Sequence, residues 1–67
     1  MNTIIWASAN EKYRIVKVSP TFYLFYIDNY EISIWMEDGE FISSALFLFD
    51  IPKYVRKALT KHIGDII

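Results

Sequence analysis

The dipeptide Asp38-Gly39 constrains this chain more than any other feature. It separates YEISIWME (30–37) from EFISSALFL (40–48), two segments that alternate and are rich in β-branched and aromatic residues. Asp-Gly in that setting is the signature of a two-residue type I′ hairpin, which needs positive φ at both central positions. A two-residue turn fixes the register, and the register decides which side chains share a face. Pairing across 38–39 sets Met36 opposite Phe41, Trp35 opposite Ile42, Ile34 opposite Ser43, Ile32 opposite Ala45 and Glu31 opposite Leu46. Asp28-Asn29 is a second hairpin turn of the same kind, setting Tyr26 opposite Glu31, Phe25 opposite Ile32, Leu24 opposite Ser33, Tyr23 opposite Ile34 and Phe22 opposite Trp35.

With further breaks at Asn10 and Ser19-Pro20, the first fifty residues read as strands at about 3–8, 12–18, 22–28, 30–37 and 40–48. One face of the last three collects Tyr23, Phe25, Ile27, Ile32, Ile34, Met36, Phe41, Ala45 and Phe47, an apolar surface that must be covered. The cover is the segment 51–63. At 100° per residue, Ile51, Val55, Ala58, Leu59, His62, Ile63 and Ile66 form one stripe, with Lys53, Arg56, Lys57, Thr60 and Lys61 on the other side. Asp50 is placed to cap this helix, Pro52 suits its first turn and Gly64 stops it. The expected fold class is α+β: an antiparallel meander of four to five strands (about 3–49), with one C-terminal amphipathic helix packed on one face. A chain of 67 residues makes one domain, 1–67. At that size only about 60% of the unfolded surface is buried, and a 54% hydrophobic, 18% aromatic composition offsets this.

The second sheet face is apolar as well. Phe22, Leu24, Tyr26, Trp35, Ile42 and Leu46 fall there, rimmed by Glu31, Glu37 and Glu40. A contiguous exposed apolar patch on a small protein marks an interaction site. Three arrangements account for it: the first two strands fold over the face and close a small barrel, a second copy buries it in a homodimer, or a partner protein docks on it. Aromatic side chains of the kind found at interface hot spots, here Trp35, Phe22 and Tyr26, would anchor such a partner. The candidate protein-binding residues are Phe22, Leu24, Tyr26, Glu31, Trp35, Glu37 and Ile42.

Charge is distributed unevenly along a chain whose formal net is −1. Residues 1–50 carry Lys12, Arg14 and Lys17 against seven carboxylates, whereas residues 51–67 carry Lys53, Arg56, Lys57 and Lys61 against Asp65 alone. An acidic, aromatic face suits a basic protein surface, with the carboxylates steering and the aromatics anchoring. The order strand, turn, strand, helix in YEISIWMEDGEFISSALFLFDIPKYVRKAL also resembles the layout of the single-stranded-DNA-binding domain of positive-cofactor-type transcriptional coactivators. That resemblance implies a dimer and a nucleic-acid surface built from Lys12, Arg14, Lys53, Arg56, Lys57 and Lys61. The departure is that strands three to five carry no Lys or Arg, while phosphate neutralisation dominates nucleic-acid affinity and stacking alone supplies roughly 1–3 kcal/mol per base.

Catalytic and metal chemistry find little support. There is no cysteine, and the one histidine, His62, falls in the apolar stripe of the helix. Gly39 and Gly64 are too far apart for a phosphate-cradling loop, Ser43-Ser44 has no base beside it, and the carboxylates near 37–40 read as a solvated turn. The expectation is a non-catalytic protein without cofactor or metal. Ala7-Ser8-Ala9 is not a signal-peptidase site, since no Lys or Arg precedes it and the apolar run is short. No stretch approaches the ~18 apolar residues of a membrane helix, so the expected location is cytoplasmic. Residues with AT-rich codons (Phe, Tyr, Met, Ile, Asn, Lys) far outnumber those with GC-rich codons. With the small size, this suggests a phage or mobile-element product acting in a host cytoplasm: an inhibitor of a host nucleic-acid-handling machine, of the anti-CRISPR or host-takeover type. The alternative is a single-stranded nucleic-acid-binding module.

Overall fold

A computed structural model describes residues 2–67; Met1 and the side chain of Phe47 lie outside the described parts. Five strands, β1 (Thr3–Ala7), β2 (Tyr13–Ser19), β3 (Phe22–Ile27), β4 (Tyr30–Glu37) and β5 (Glu40–Ser43), form one antiparallel sheet in sequence order. A single 3₁₀ turn, Leu46–Leu48, leads to the helix α1, Lys53–His62. Asp38 and Gly39 take φ of 53° and 79°, the two left-handed residues of the type I′ turn. At the preceding hairpin only Asp28 is left-handed, with φ 53°, so that turn is not type I′ although it fixes the expected register.

Helix α1 lies on one sheet face and closes the core. Val55, Ala58 and Leu59 from the helix, with Ile51 before it, meet Tyr13, Ile15, Tyr23, Phe25, Ile32 and Ile34 from β2, β3 and β4. Phe25, Ile15, Ile32, Ile34 and Val55 are fully buried, and each such side chain contributes about 1.5–3 kcal/mol relative to exposure. At the β1 side, the Tyr54 ring stands 6.5 Å from Trp6 and 6.3 Å from Tyr13, centre to centre. A bulge between Ile4 and Trp6 turns both Ile5 and Trp6 toward the helix.

Four expectations are corrected. The last strand ends at Ser43 instead of continuing to 48. Ser43 Oγ accepts the Leu46 N–H at 3.1 Å, a local bond that competes with ladder pairing and turns the chain under the sheet. The pairs Ile32–Ala45 and Glu31–Leu46 therefore do not form, and Leu46 packs against the core instead of joining the open face. The expected place of Phe47 on the core face falls outside the described side chains. Helix α1 begins at Lys53, so Pro52 is its N-cap and Asp50 lies too far upstream to cap it. Finally, β1 and β2 do not fold over the second face. They extend the sheet, leaving β1 and β5 as its opposite edges with no ladder between them among the described residues.

Candidate protein-docking face

The sheet face turned away from α1 is built from three cross-strand rows. The first runs Ala7, Arg14, Tyr26, Glu31 across β1 to β4; the second runs Ile4, Val16, Leu24, Ser33; the third runs Ser19, Phe22, Trp35, Ile42 across β2 to β5. Glu37 and Glu40 face each other beyond the third row. An antiparallel sheet with helix on one side normally shows polar residues on the other. Here the middle of that face is aliphatic and aromatic.

All seven residues expected at the protein-binding site are therefore on one face or its rim. Leu24 is buried, Phe22, Tyr26, Trp35 and Ile42 are half-buried, and Glu31 and Glu37 are exposed. Two of the carboxylates are held by the aromatics beside them. Tyr26 Oη donates to Glu31 Oε2 at 2.9 Å, and Trp35 Nε1 donates to Glu37 Oε2 at 3.3 Å. Each aromatic thus carries its own acceptor-rich tip, an apolar ring ending in a carboxylate. The Tyr26 phenol is held above its ordinary value, chiefly by the hydrogen bond to Glu31, then by burial and by the charge of Glu31; Arg14 opposes the shift.

Arg14, the candidate cation on the second strand, stands apart from the cations of α1. It belongs to this face and not to a separate basic surface: its guanidinium lies over the Tyr26 ring, 4.8 Å from the centroid, and Nη2 donates to the Asp28 carbonyl at 3.0 Å. Its neighbour Lys12, in the β1–β2 loop, lies over the Tyr13 ring at 5.5 Å, and Tyr13 belongs to the helix-side core. The other four cations of the proposed nucleic-acid surface, Lys53, Arg56, Lys57 and Lys61, are exposed on the outer side of α1. The six do not form one patch.

Sequence reasoning also missed Val16 and Ile4, which complete the aliphatic row. Alternation along β2 sets 14 and 16 on one side of the strand, but the β1–β2 connection lacks a two-residue turn signature that would tie that side to the rest of the sheet. It is held instead by side chains: buried Ser8 donates through Oγ to Asn10 Oδ1 at 2.8 Å and accepts the Tyr13 N–H at 3.1 Å. His62 is half-buried at the C-terminal end of α1, and no helix among the described residues is long and apolar enough to cross a membrane. Comparison of the chain with protein-family models, with curated proteins and with solved structures gives no match.

Proposed function

We propose that this protein is a non-catalytic binding module that docks on a basic surface of a partner protein through the open face of its sheet. The observation that carries this reading is the composition of that face. An aliphatic centre of Val16 and Leu24 is flanked by half-buried Phe22, Trp35 and Tyr26, with the last two hydrogen-bonded to Glu37 and Glu31. An apolar middle with aromatic side chains beside it and charge at the rim is the anatomy of a protein interface. The carboxylates add attraction for cationic partners and speed encounter. A surface that normally holds nucleic acid is basic in the required way, and occupying it would inhibit the machine that carries it. This supports the reading of a small inhibitor, and the AT-rich coding bias with the small size supports a phage or mobile-element product acting inside a host cell.

A second reading rests on a different surface. The exposed Lys53, Arg56, Lys57 and Lys61 on α1 would bind phosphates, and their affinity would fall steeply with salt. Charge reversal separates the two. Trp35→Ala and Glu31→Lys should abolish retention of a captured basic partner, while a Lys53/Lys57/Lys61→Ala variant retains it. Fluorescence anisotropy of a labelled single-stranded oligonucleotide, at low and moderate salt, should show no salt-sensitive binding. Salt-sensitive binding lost in the triple-lysine variant, with partner retention indifferent to Trp35 and Glu31, would replace the first reading with the second.

A further inference from the structure

The two edges of the sheet are finished differently. At β5 the chain's own C-terminal segment returns to the edge: Ile66 forms a parallel bridge with Phe41, and the Ile67 N–H donates to the Phe41 carbonyl at 2.9 Å. That edge also carries Glu40. At β1 the outer row of backbone donors and acceptors meets no strand among the described residues. Proteins protect such an edge with Lys, Pro, an inward-pointing charge or a bulge. β1, Thr-Ile-Ile-Trp-Ala, carries no Lys, Pro or charge, and its bulge between Ile4 and Trp6 is the one such device it has. Ile4 stands 60% exposed on the open-face side of the strand, and the Trp6–Tyr54 aromatic pair, with Tyr54 54% exposed, stands on the helix side.

We propose that β1 is the seat of a two-fold symmetric dimer, in which β1 of a second copy adds antiparallel and the sheet runs continuously through both chains. Three features select a second copy over an arbitrary extended segment. The strand is uncharged, so antiparallel self-pairing brings no like charges together. The bulge between Ile4 and Trp6 bends the edge, and a dyad supplies a strand with the same bend. Both flanks of the junction are apolar: Ile4 meets its counterpart on one side of the sheet, which sets Ile5 of each chain near the dyad on the other, with the Trp6–Tyr54 pairs further out. Such an interface is isologous and closed, so it stops at two. It shares only Ile4 with the open face, leaves Val16, Leu24, Phe22, Tyr26 and Trp35 uncovered, and joins the two docking faces side by side.

Sedimentation of the full chain at tens of micromolar should give the mass of two chains. Ile4→Lys, at an exposed position, should return it to one chain with an unchanged circular dichroism spectrum and weaken self-association at least tenfold. Because the chain has no cysteine, Ile4→Cys gives an unambiguous second readout. Directly opposed strand positions are close enough for a disulfide, so mild oxidation by oxygen should cross-link Ile4→Cys almost fully and the exposed control Leu48→Cys hardly at all. A single-chain mass at tens of micromolar, equal cross-linking at both positions, or a dimer dissolved by Trp35→Glu but not by Ile4→Lys would overturn the proposal. The last outcome would place the second copy on the open face, whereas loss of partner binding alone bears only on the docking reading.

Discussion

Whether the second sheet face is open to water in the free protein is testable by comparing two leucines. Leu24 and Leu59 are 8% and 3% exposed, so by area alone they are nearly equivalent. Their surroundings differ. Leu59 is enclosed between α1 and the sheet, while Leu24 is covered only sideways, by neighbours in its own sheet layer. Leu→Ala removes three carbons, a transfer loss of about 2–2.5 kcal/mol when fully buried. At Leu59 the excavated volume stays closed and adds a cavity cost, for about 3–5 kcal/mol in all. At Leu24 water enters the dent, so the loss stays near 2 kcal/mol. Propensities narrow the gap by a few tenths, since Ala favours helix over strand. Urea denaturation at low protein concentration measures both losses from the shift in midpoint at constant slope. Against a total stability of about 3–10 kcal/mol for a chain this size, the difference is easily resolved. Equal losses would mean that Leu24 sits in a closed core, and the account of the docking face would fail.

Two further outcomes follow from local geometry. Ser8→Ala strips the Tyr13 N–H of its acceptor between two buried residues at the base of an exposed loop; it should cost about 1–3 kcal/mol and speed exchange of the Tyr13 amide hydrogen, and an unchanged midpoint would show that the Oγ bond does not hold the β1–β2 connection. Glu31→Gln should bring the Tyr26 phenol, observed by ring-carbon NMR, back down toward its ordinary value near 10. The sign for stability follows: a phenol raised in the folded state contributes fully below its unfolded pKa, and that contribution is lost as pH rises through the folded value. The wild type should therefore lose stability above about pH 10 more steeply than the Gln variant, and parallel alkaline curves would remove Glu31 as the cause.

The parts of the fold legible in the sequence were those governed by tight turns and helical periodicity. Asp38-Gly39 fixed β4 against β5, and Asp28-Asn29 fixed β3 against β4, with every pair from Phe22–Trp35 to Tyr26–Glu31 as expected. The stripe Ile51, Val55, Ala58, Leu59 became the buried side of α1. What failed was governed by side-chain hydrogen bonds or by bulges. The end of β5 depends on one Ser43 Oγ bond, and the β1–β2 connection depends on Ser8 and Asn10. The bulges between Ile4 and Trp6 and between Lys17 and Ser19 shift the alternation by one residue, which is why β1 and β2 resisted assignment to a face. Most of the candidate site could be named because it sits on β3 and β4. Ile4, Val16 and Arg14 were not placed there because they lie on the two strands without a turn-defined register.

The position of Arg14 decides how the charges of this protein work together. Read along the chain, it joins the lysines of α1 as part of one basic set. In three dimensions it lies over Tyr26, whose hydroxyl is bound to Glu31, so its charge sits within the acidic face, beside an aromatic ring. The remaining cations of α1 look away from the sheet, because the residues between them, Val55, Ala58 and Leu59, are buried against it. Acidic and basic surfaces are therefore separated by the full thickness of a two-layer domain. A polyanion lying on α1 makes no use of Trp35 or Tyr26, and a basic partner seated on the sheet makes no use of the lysines. The two surfaces differ in chemistry: α1 sets cations beside the exposed Tyr54, whereas the sheet face sets carboxylates beside half-buried aromatics over an apolar floor.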